Sequence, residues 1–328
     1  MITIIPIKLE TPFAEGSVFA YAVLGDGAVL IDTGNPGSTS LNNLKSQLSQ
    51  HGLSLRDFDS IVLTHMHTDH SGGVSEILKE ATLPVYVHEN AEWTITGGAR
   101  EFQRQNEFFY SFMKQCGADP GQHMSNRTYN EEIWPEVKYV RDGDVIGAAG
   151  IPFEVVYVPG HSQTDILLWD PSTGITFGGD HLVADFSVNA FIEPPRPGIG
   201  SRPKSLLQYR NSLERVKLLP LSTVYPGHGE PFDNHPELIG KRMEEQEKRC
   251  LHILECLLTG EKNVYQLCSL IYPKLRKRTI FLGLSQIQGH LDLLESRGQV
   301  ESFTRGQVHY YKVISSSLKG GGITIAIK

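Results

Sequence analysis

Within the six residues His65-Met-His-Thr-Asp-His70 stand four side chains of metal-binding type, His65, His67, Asp69 and His70. Imidazole nitrogen and carboxylate oxygen suit zinc, and also iron or manganese. Thr64 precedes the stretch, after the apolar run Ile61-Val-Leu63. Three later places repeat that context. Val155-Val-Tyr-Val158 runs into Pro159-Gly160-His161, Ile175-Thr-Phe177 into Gly178-Gly179-Asp180, and Thr223-Val-Tyr225 into Pro226-Gly227-His228. A single histidine past a β run is ordinarily packed or exposed without function. Four ligand types in six positions, followed by three more in matching settings, form a set. Seven ligands exceed one tetrahedral ion and suit two divalent ions that share a bridging carboxylate. Two such ions lower the pKa of a shared water toward neutrality and hold a hydroxide against a carbonyl or phosphoryl group. Such chemistry needs no serine or cysteine nucleophile, and the chain has no Gly-x-Ser-x-Gly elbow.

These side chains converge only if the strands preceding them end at one edge of a rigid scaffold. The pattern supports that. Residues 17–24 and 28–31 read as strands joined at Gly25-Asp26-Gly27, and 38–51 as a helix through Leu41, Leu44 and Leu48. Residues 59–63, 84–88, 153–158, 166–169, 175–177 and 222–225 read as strands. Residues 74–79 and 203–217 read as helices. Residues 91–135 differ: an aromatic-rich helix over 101–114, broken at Pro120-Gly121, reads as an insertion that either packs on the surface or covers a pocket.

The loop at 65–70, the Pro-Gly-His at 161, the Gly-Asp at 180 and the Pro-Gly-His-Gly at 227–229 together resemble the metallo-β-lactamase superfamily, and in it the glyoxalase II-like hydrolases. The resemblance covers residues 1–235 or so. It implies an α+β fold, a four-layer αββα sandwich with the site at one edge of its sheets. It implies that His65, His67 and His161 hold one ion, that Asp69, His70 and His228 hold a second, and that Asp180 bridges them. Zinc is the first expectation for both, with iron or manganese as alternatives. Asp69 would also orient the attacking water. Asp32, in Ile31-Asp32-Thr33-Gly34, matches a further family position, an acceptor that fixes a ligand histidine; the plainer alternative is an aspartate closing a turn. His181, beside Asp180, is a candidate to face substrate, whereas His88 and His235 read as structural or exposed. Flavodiiron-type members carry Glu where this chain has His67, and persulfide dioxygenases do not need the full second ligand set, so the resemblance favours hydrolysis.

After Pro236 the composition turns helical. Residues 237–258, 264–271 and 286–297 read as helices, the last amphipathic through Ile287, His290, Leu291 and Leu294. A hairpin over 300–313 turns at Thr304-Arg-Gly306. That order is the order of a winged helix, and it resembles the tail of the lactamase-β-like hydrolases, some of which cut single-stranded RNA. The expected organisation is therefore a catalytic domain over 1–236, a winged-helix-like domain over 237–314 and a tail over 315–328. Lys274-Leu-Arg-Lys-Arg278 is a basic run near the last helix, but Asp292 and Glu295 on that helix would repel a phosphate backbone. A dimer contact or a pocket cap is the simpler role for this end.

The bulk properties agree. The 328 residues, 40% hydrophobic and 20% charged, describe a globular protein with a substantial core. A formal net charge of −7 disfavours a nucleic-acid binder. Four cysteines, none in a Cys-x-x-Cys pair, fit a reducing cytoplasm, and neither a signal peptide nor a membrane-spanning run is apparent. The leading expectation is a hydrolase of a small ester, thioester or lactone. The alternatives are an endoribonuclease, and a regulatory DNA-binding protein whose catalytic fold is vestigial.

Overall fold

The computed structural model describes residues 2–12, 16–124, 128–275 and 279–314. The chain divides into two compact units. The first comprises 1–102, 129–188 and 208–240; the second comprises 103–128, 189–207 and 241–328.

In the first unit a six-stranded sheet is formed by β1 (Thr3–Glu10), β2 (Ser17–Gly25), β3 (Gly27–Ile31), β4 (Ser60–Val62), β5 (Val85–His88) and β6 (Val137–Val140), in that spatial order. The first three strands are antiparallel and the rest are parallel. Parallel neighbours require crossovers. These are α1 (Ser38–Gln50) between β3 and β4, then α2 (Thr68–Ser71) and α3 (Val74–Leu78) between β4 and β5. Leu41, Leu44 and Leu48 of α1, with Val74 and Ile77 of α3, pack against Ile7, Leu9, Leu30, Ile61 and Val85. The other sheet face carries Tyr21, Val29, Ile31 and Val62, which form a second core with Phe153, Val155, Ile166, Leu168 and Phe177. Covered on both faces, β2, β3 and β4 are nearly continuous apolar runs, whereas β1 alternates buried and exposed residues. Pro6 weakens the strand signal of β1, and it is tolerated because β1 is an edge strand paired only with β2.

The partners in that second core come from a five-stranded sheet: β7 (Val145–Ala148), β8 (Ile151–Tyr157), β9 (Ile166–Trp169), β10 (Ile175–Gly179) and β11 (Thr223–Pro226). Only β10 and β11 run parallel, joined through α7 (Ser205–Lys217). The chain thus has the mixed α+β sheets that the family resemblance implies.

The insertion region holds α4 (Glu92–Thr96), α5 (Gly98–Gln115) and α6 (Pro120–His123). Helix α5 does not end at Pro120. Gly117, at φ 82°, stops it, with Ala118 N donating to Met113 O and Gly117 N to Lys114 O. The second unit adds α8 (His235–Leu258) from Lys241 onward, β12 (Lys262–Asn263), α9 (Val264–Ile271), α10 (Ile280–Ser296), β13 (Val300–Arg305) and β14 (Val308–Val313). Its sheet has the order β12-β14-β13, all antiparallel. A boundary near 236 does not by itself describe this division, because earlier segments bury their side chains here. Phe109 and Phe112 lie edge-on to Phe281, and Arg202 pairs with Asp292.

Helix α10 begins six residues before the expected start at 286 and is buried almost throughout from Gly283 to Leu294. It is not a surface amphipathic helix. Asp292 is 2% exposed; Arg202 binds it through two nitrogens at 2.7 and 2.8 Å, and Lys204 and Gln288 each donate at 3.0 Å. Its charge therefore cannot repel an approaching phosphate backbone. Of the basic run, Arg276, Lys277 and Arg278 lie outside the described residues, as does the tail 315–328. All four cysteines are free thiols. Among the described residues no helix is long and apolar enough to cross a membrane.

Candidate metal centre

The parallel register sets β3 and β4 side by side, Ile31 opposite Val62, so the residues leaving both strands emerge at one edge. Asp32 follows the first, and Leu63-Thr64-His65 the second. His67 then caps α2, which carries Asp69 and His70 on its single turn. In the facing sheet, His161 follows β8, Asp180 follows β10 and His228 follows β11. All seven predicted ligands come together. Three overlapping groups each have ligand atoms within 4.8 Å of one another: His65, His67 and His161; His65, His70 and Asp180; Asp69, His70 and His228.

Asp180 is the centre of the set. Its Oδ1 lies 3.3 Å from His70 Nε2, and its Oδ2 lies 3.4 Å from both His161 Nε2 and His228 Nε2. His228 Nε2 also faces Asp69 Oδ2 at 3.5 Å, and His65 Nε2 faces His67 Nδ1 at 3.1 Å. His70 Nε2 and Asp180 Oδ1 are buried and make no hydrogen bond among the described residues. Imidazole nitrogens and carboxylate oxygens converging on common points are the chemistry of a cation site. Buried imidazole and carboxylate donors at these separations fit divalent ions of the zinc, iron or manganese type.

Rear contacts aim the ligands. Asp32 Oδ2 meets His70 Nδ1 at 2.8 Å, and Asp32 also receives the Thr64 backbone N–H and hydroxyl at 2.8 Å each. His228 Nδ1 donates to Ser17 O at 2.5 Å. Thr33 Oγ1 donates to His70 O. Glycine is required at 227, where a Cβ would lie 2.5 Å from both Asp180 Oδ1 and His70 Cε1.

Burial is the largest influence on the rings of His65, His67, His70 and His228. It pushes His67 down to about 4 and, helped by His70 and His67, holds His65 well below the usual imidazole range. At His70 burial is outweighed by Asp180 and Asp32, and at His228 by Asp180, so both are raised. Burial would raise Asp180, but His70 and His228 hold it well below the usual carboxylate range. The site thus keeps an anionic carboxylate among imidazoles.

His181 is not brought into the cluster. Its ring lies 5.2 Å from that of Tyr209, edge-on, 1% exposed and with neither nitrogen hydrogen-bonded; burial pushes its pKa down to about 3. His88 stacks flat on Tyr157, centroids 3.9 Å apart, and His235 is buried, so both are packed residues. Two contributors carry no readable sequence signal for their roles. The Thr64 hydroxyl lies 3.1 Å from His65 Nδ1, and Asp165, which accepts from Ser162 N, lies 3.8 Å from the same nitrogen. The first depends on the direction of adjacent side chains and the second on a neighbour distant in sequence.

The sequence comparisons agree with this geometry. The model of the metallo-beta-lactamase superfamily matches residues 14–228. A probable metallo-hydrolase of Bacillus subtilis, YqjP, is 32% identical, over 95% of this chain and 98% of its own. The atrochrysone carboxyl ACP thioesterase of Aspergillus fumigatus is 22% identical over 72% of this chain, which spans 58% of that protein. Among solved structures, a metallo-beta-lactamase family protein from Thermus thermophilus shares the fold, with a TM-score of 0.79 at 20% identity over 95% of this chain and 98% of its own. With a family model spanning most of the sheets and the ligand types gathered where their strands end, the chain belongs to the metallo-beta-lactamase superfamily.

Proposed function

We propose that this chain is a binuclear metal-dependent hydrolase of a small thioester, ester or lactone, glyoxalase II-like in its site. The observation that carries the reading is Asp180, a buried carboxylate with one oxygen toward His70 and the other toward His161 and His228. That is the position of a bridging ligand. His65, His67 and His161 would hold one ion, and Asp69, His70 and His228 the other. Zinc is the first candidate, with iron or manganese as alternatives. When bound, the ions would supply a water acidic enough to attack at neutral pH and a Lewis acid for the developing oxyanion.

The chain's own residues supply the rest. Asp32 keeps the His70 Nδ1 proton engaged, so Nε2 faces the site. Ser17 O does the same for His228. Asp69, on the single turn of α2, stands where a carboxylate can both ligate and accept a hydrogen bond from the attacking water. In the same reading, α1, α3 and α7 complete a four-layer αββα arrangement, and the helices and hairpin after residue 241 form a winged-helix-like end. Support for a thioester substrate comes from a relative named as a carboxyl ACP thioesterase.

The test is turnover by the metal-loaded protein of a panel of acyl thioesters, esters and lactones beside single-stranded RNA. Hydrolysis of at least one carbonyl substrate that is lost on chelation is expected. Cleavage of RNA alone would overturn the substrate class, and activity that survives complete metal removal would overturn the mechanism.

A further inference from the structure

We infer that Thr64 is a positioning residue whose hydroxyl couples His65 to Asp32 and fixes that ring as the Nδ1–H tautomer. The Thr64 hydroxyl has one proton, and it is donated to Asp32 Oδ2 at 2.8 Å. Toward His65 Nδ1, 3.1 Å away, the same oxygen can only accept. His65 therefore carries its proton on Nδ1 and presents a bare Nε2, the atom that faces His67 Nδ1.

The hydroxyl is held in this geometry. Thr64 is 2% exposed, its N–H is bound to Asp32 Oδ1, and its carbonyl accepts from Ile166 N. Its side chain lies against Gly179, where an added Cβ would come within 2.8 Å of Thr64 Cβ and Oγ1. The alternative acceptor, Asp165 Oδ1, stands 3.8 Å from His65 Nδ1, beyond hydrogen-bond length. Asp32 Oδ2 also meets His70 Nδ1, so one carboxylate orients a histidine in each proposed ion's ligand set: His70 directly and His65 through Thr64. Thr64 also ties together the ends of β3, β4 and β10, which carry Asp32, His65 and Asp180.

The inference rests on the metal reading for its functional weight, but its geometry can be tested separately. Long-range 1H–15N correlation of the histidine rings in the metal-free protein should report His65 as the Nδ1–H tautomer. An Nε2–H ring there would overturn the inference whether or not metal binds. In the zinc-loaded protein, competition with a chromophoric chelator reads affinity. Thr64→Val removes the hydroxyl at nearly constant shape and should weaken one of the two zinc equivalents by about tenfold or more. Thr64→Ser should restore it. Unchanged affinity in Thr64→Val, or failure of Thr64→Ser to rescue, would assign Thr64 to packing alone. If wild-type protein bound no zinc, the metal reading would fail while the tautomer still decided the hydrogen-bond relay.

Discussion

Two buried aspartates in this chain meet opposite surroundings. Asp292, in the second unit, is enclosed by donors: the Arg202 guanidinium, the Lys204 ammonium and the Gln288 amide. The chain itself satisfies it. Asp180, in the first unit, is also buried, but three imidazole nitrogens stand 3.3–3.4 Å from its oxygens, and its Oδ1 makes no hydrogen bond among the described residues. Burying a carboxylate is costly unless its charge is met. Where fixed cations and an amide of the chain meet it, the group is structural; where imidazoles and a second carboxylate converge with it, the charge is suited to a cation. Burial alone does not separate function from packing, but the chemical type of the neighbours does.

The contrast can be broken by exchange. Asp180→Asn should lower kcat/KM by about 10³-fold or more, since it removes the ligand that the proposed two-ion site shares. The metal-free fold should keep its stability within about 1 kcal/mol of wild type, because a buried charge is removed along with its partners' attraction. A fully active variant would remove Asp180 from the chemistry. Asp292→Asn should do the reverse. It leaves Arg202 and Lys204 without their carboxylate and should cost about 3 kcal/mol of unfolding free energy in urea, with metal content and kcat unchanged. A stable Asp292→Asn variant with lost activity would erase the distinction.

His181 sharpens it further, as a buried polar group with neither chain partner nor converging ligands. Its folded pKa, about 3, lies below the ordinary imidazole value because burial disfavours the cation. Its neutral form contributes stability that is complete above the unfolded pKa. That contribution is lost as pH falls from about 6.5 toward 3, by roughly 1.4 kcal/mol per pH unit for the one proton taken up on unfolding. His181→Leu should flatten the acid limb of stability against pH by that amount in metal-free protein. An unchanged slope would mean that the ring is protonated or solvated in the folded state.

Much of the site is legible in the sequence, since metal ligands need particular side chains at strand ends, and strand ends are marked by apolar runs meeting Gly or Thr. His65–His70, His161, Asp180 and His228 all carry that mark. What the sequence does not carry is direction and long-range pairing. His181 sits one residue from Asp180 yet points into the packing around Tyr209. The Asp32–Thr64 bond spans 32 positions, and the Asp292–Arg202 pair spans 90. A charged residue on a helix reads as solvated until its partner is known, which is why α10 looks like a surface helix in the sequence and is buried in the fold. Strand β1 is obscured by Pro6, and β12, two residues long, is too short to leave a periodic signal.

The most direct measurement is the stoichiometry of divalent metal bound by the intact chain, read by native mass spectrometry after metal removal and titration with zinc. Two ions per wild-type chain are expected, with at most one retained tightly by Asp180→Asn and two by Asp292→Asn. A wild-type chain that takes up no ion, or an Asp180→Asn chain that binds two as tightly as wild type, would contradict the assignment of the strand-end cluster as a binuclear centre.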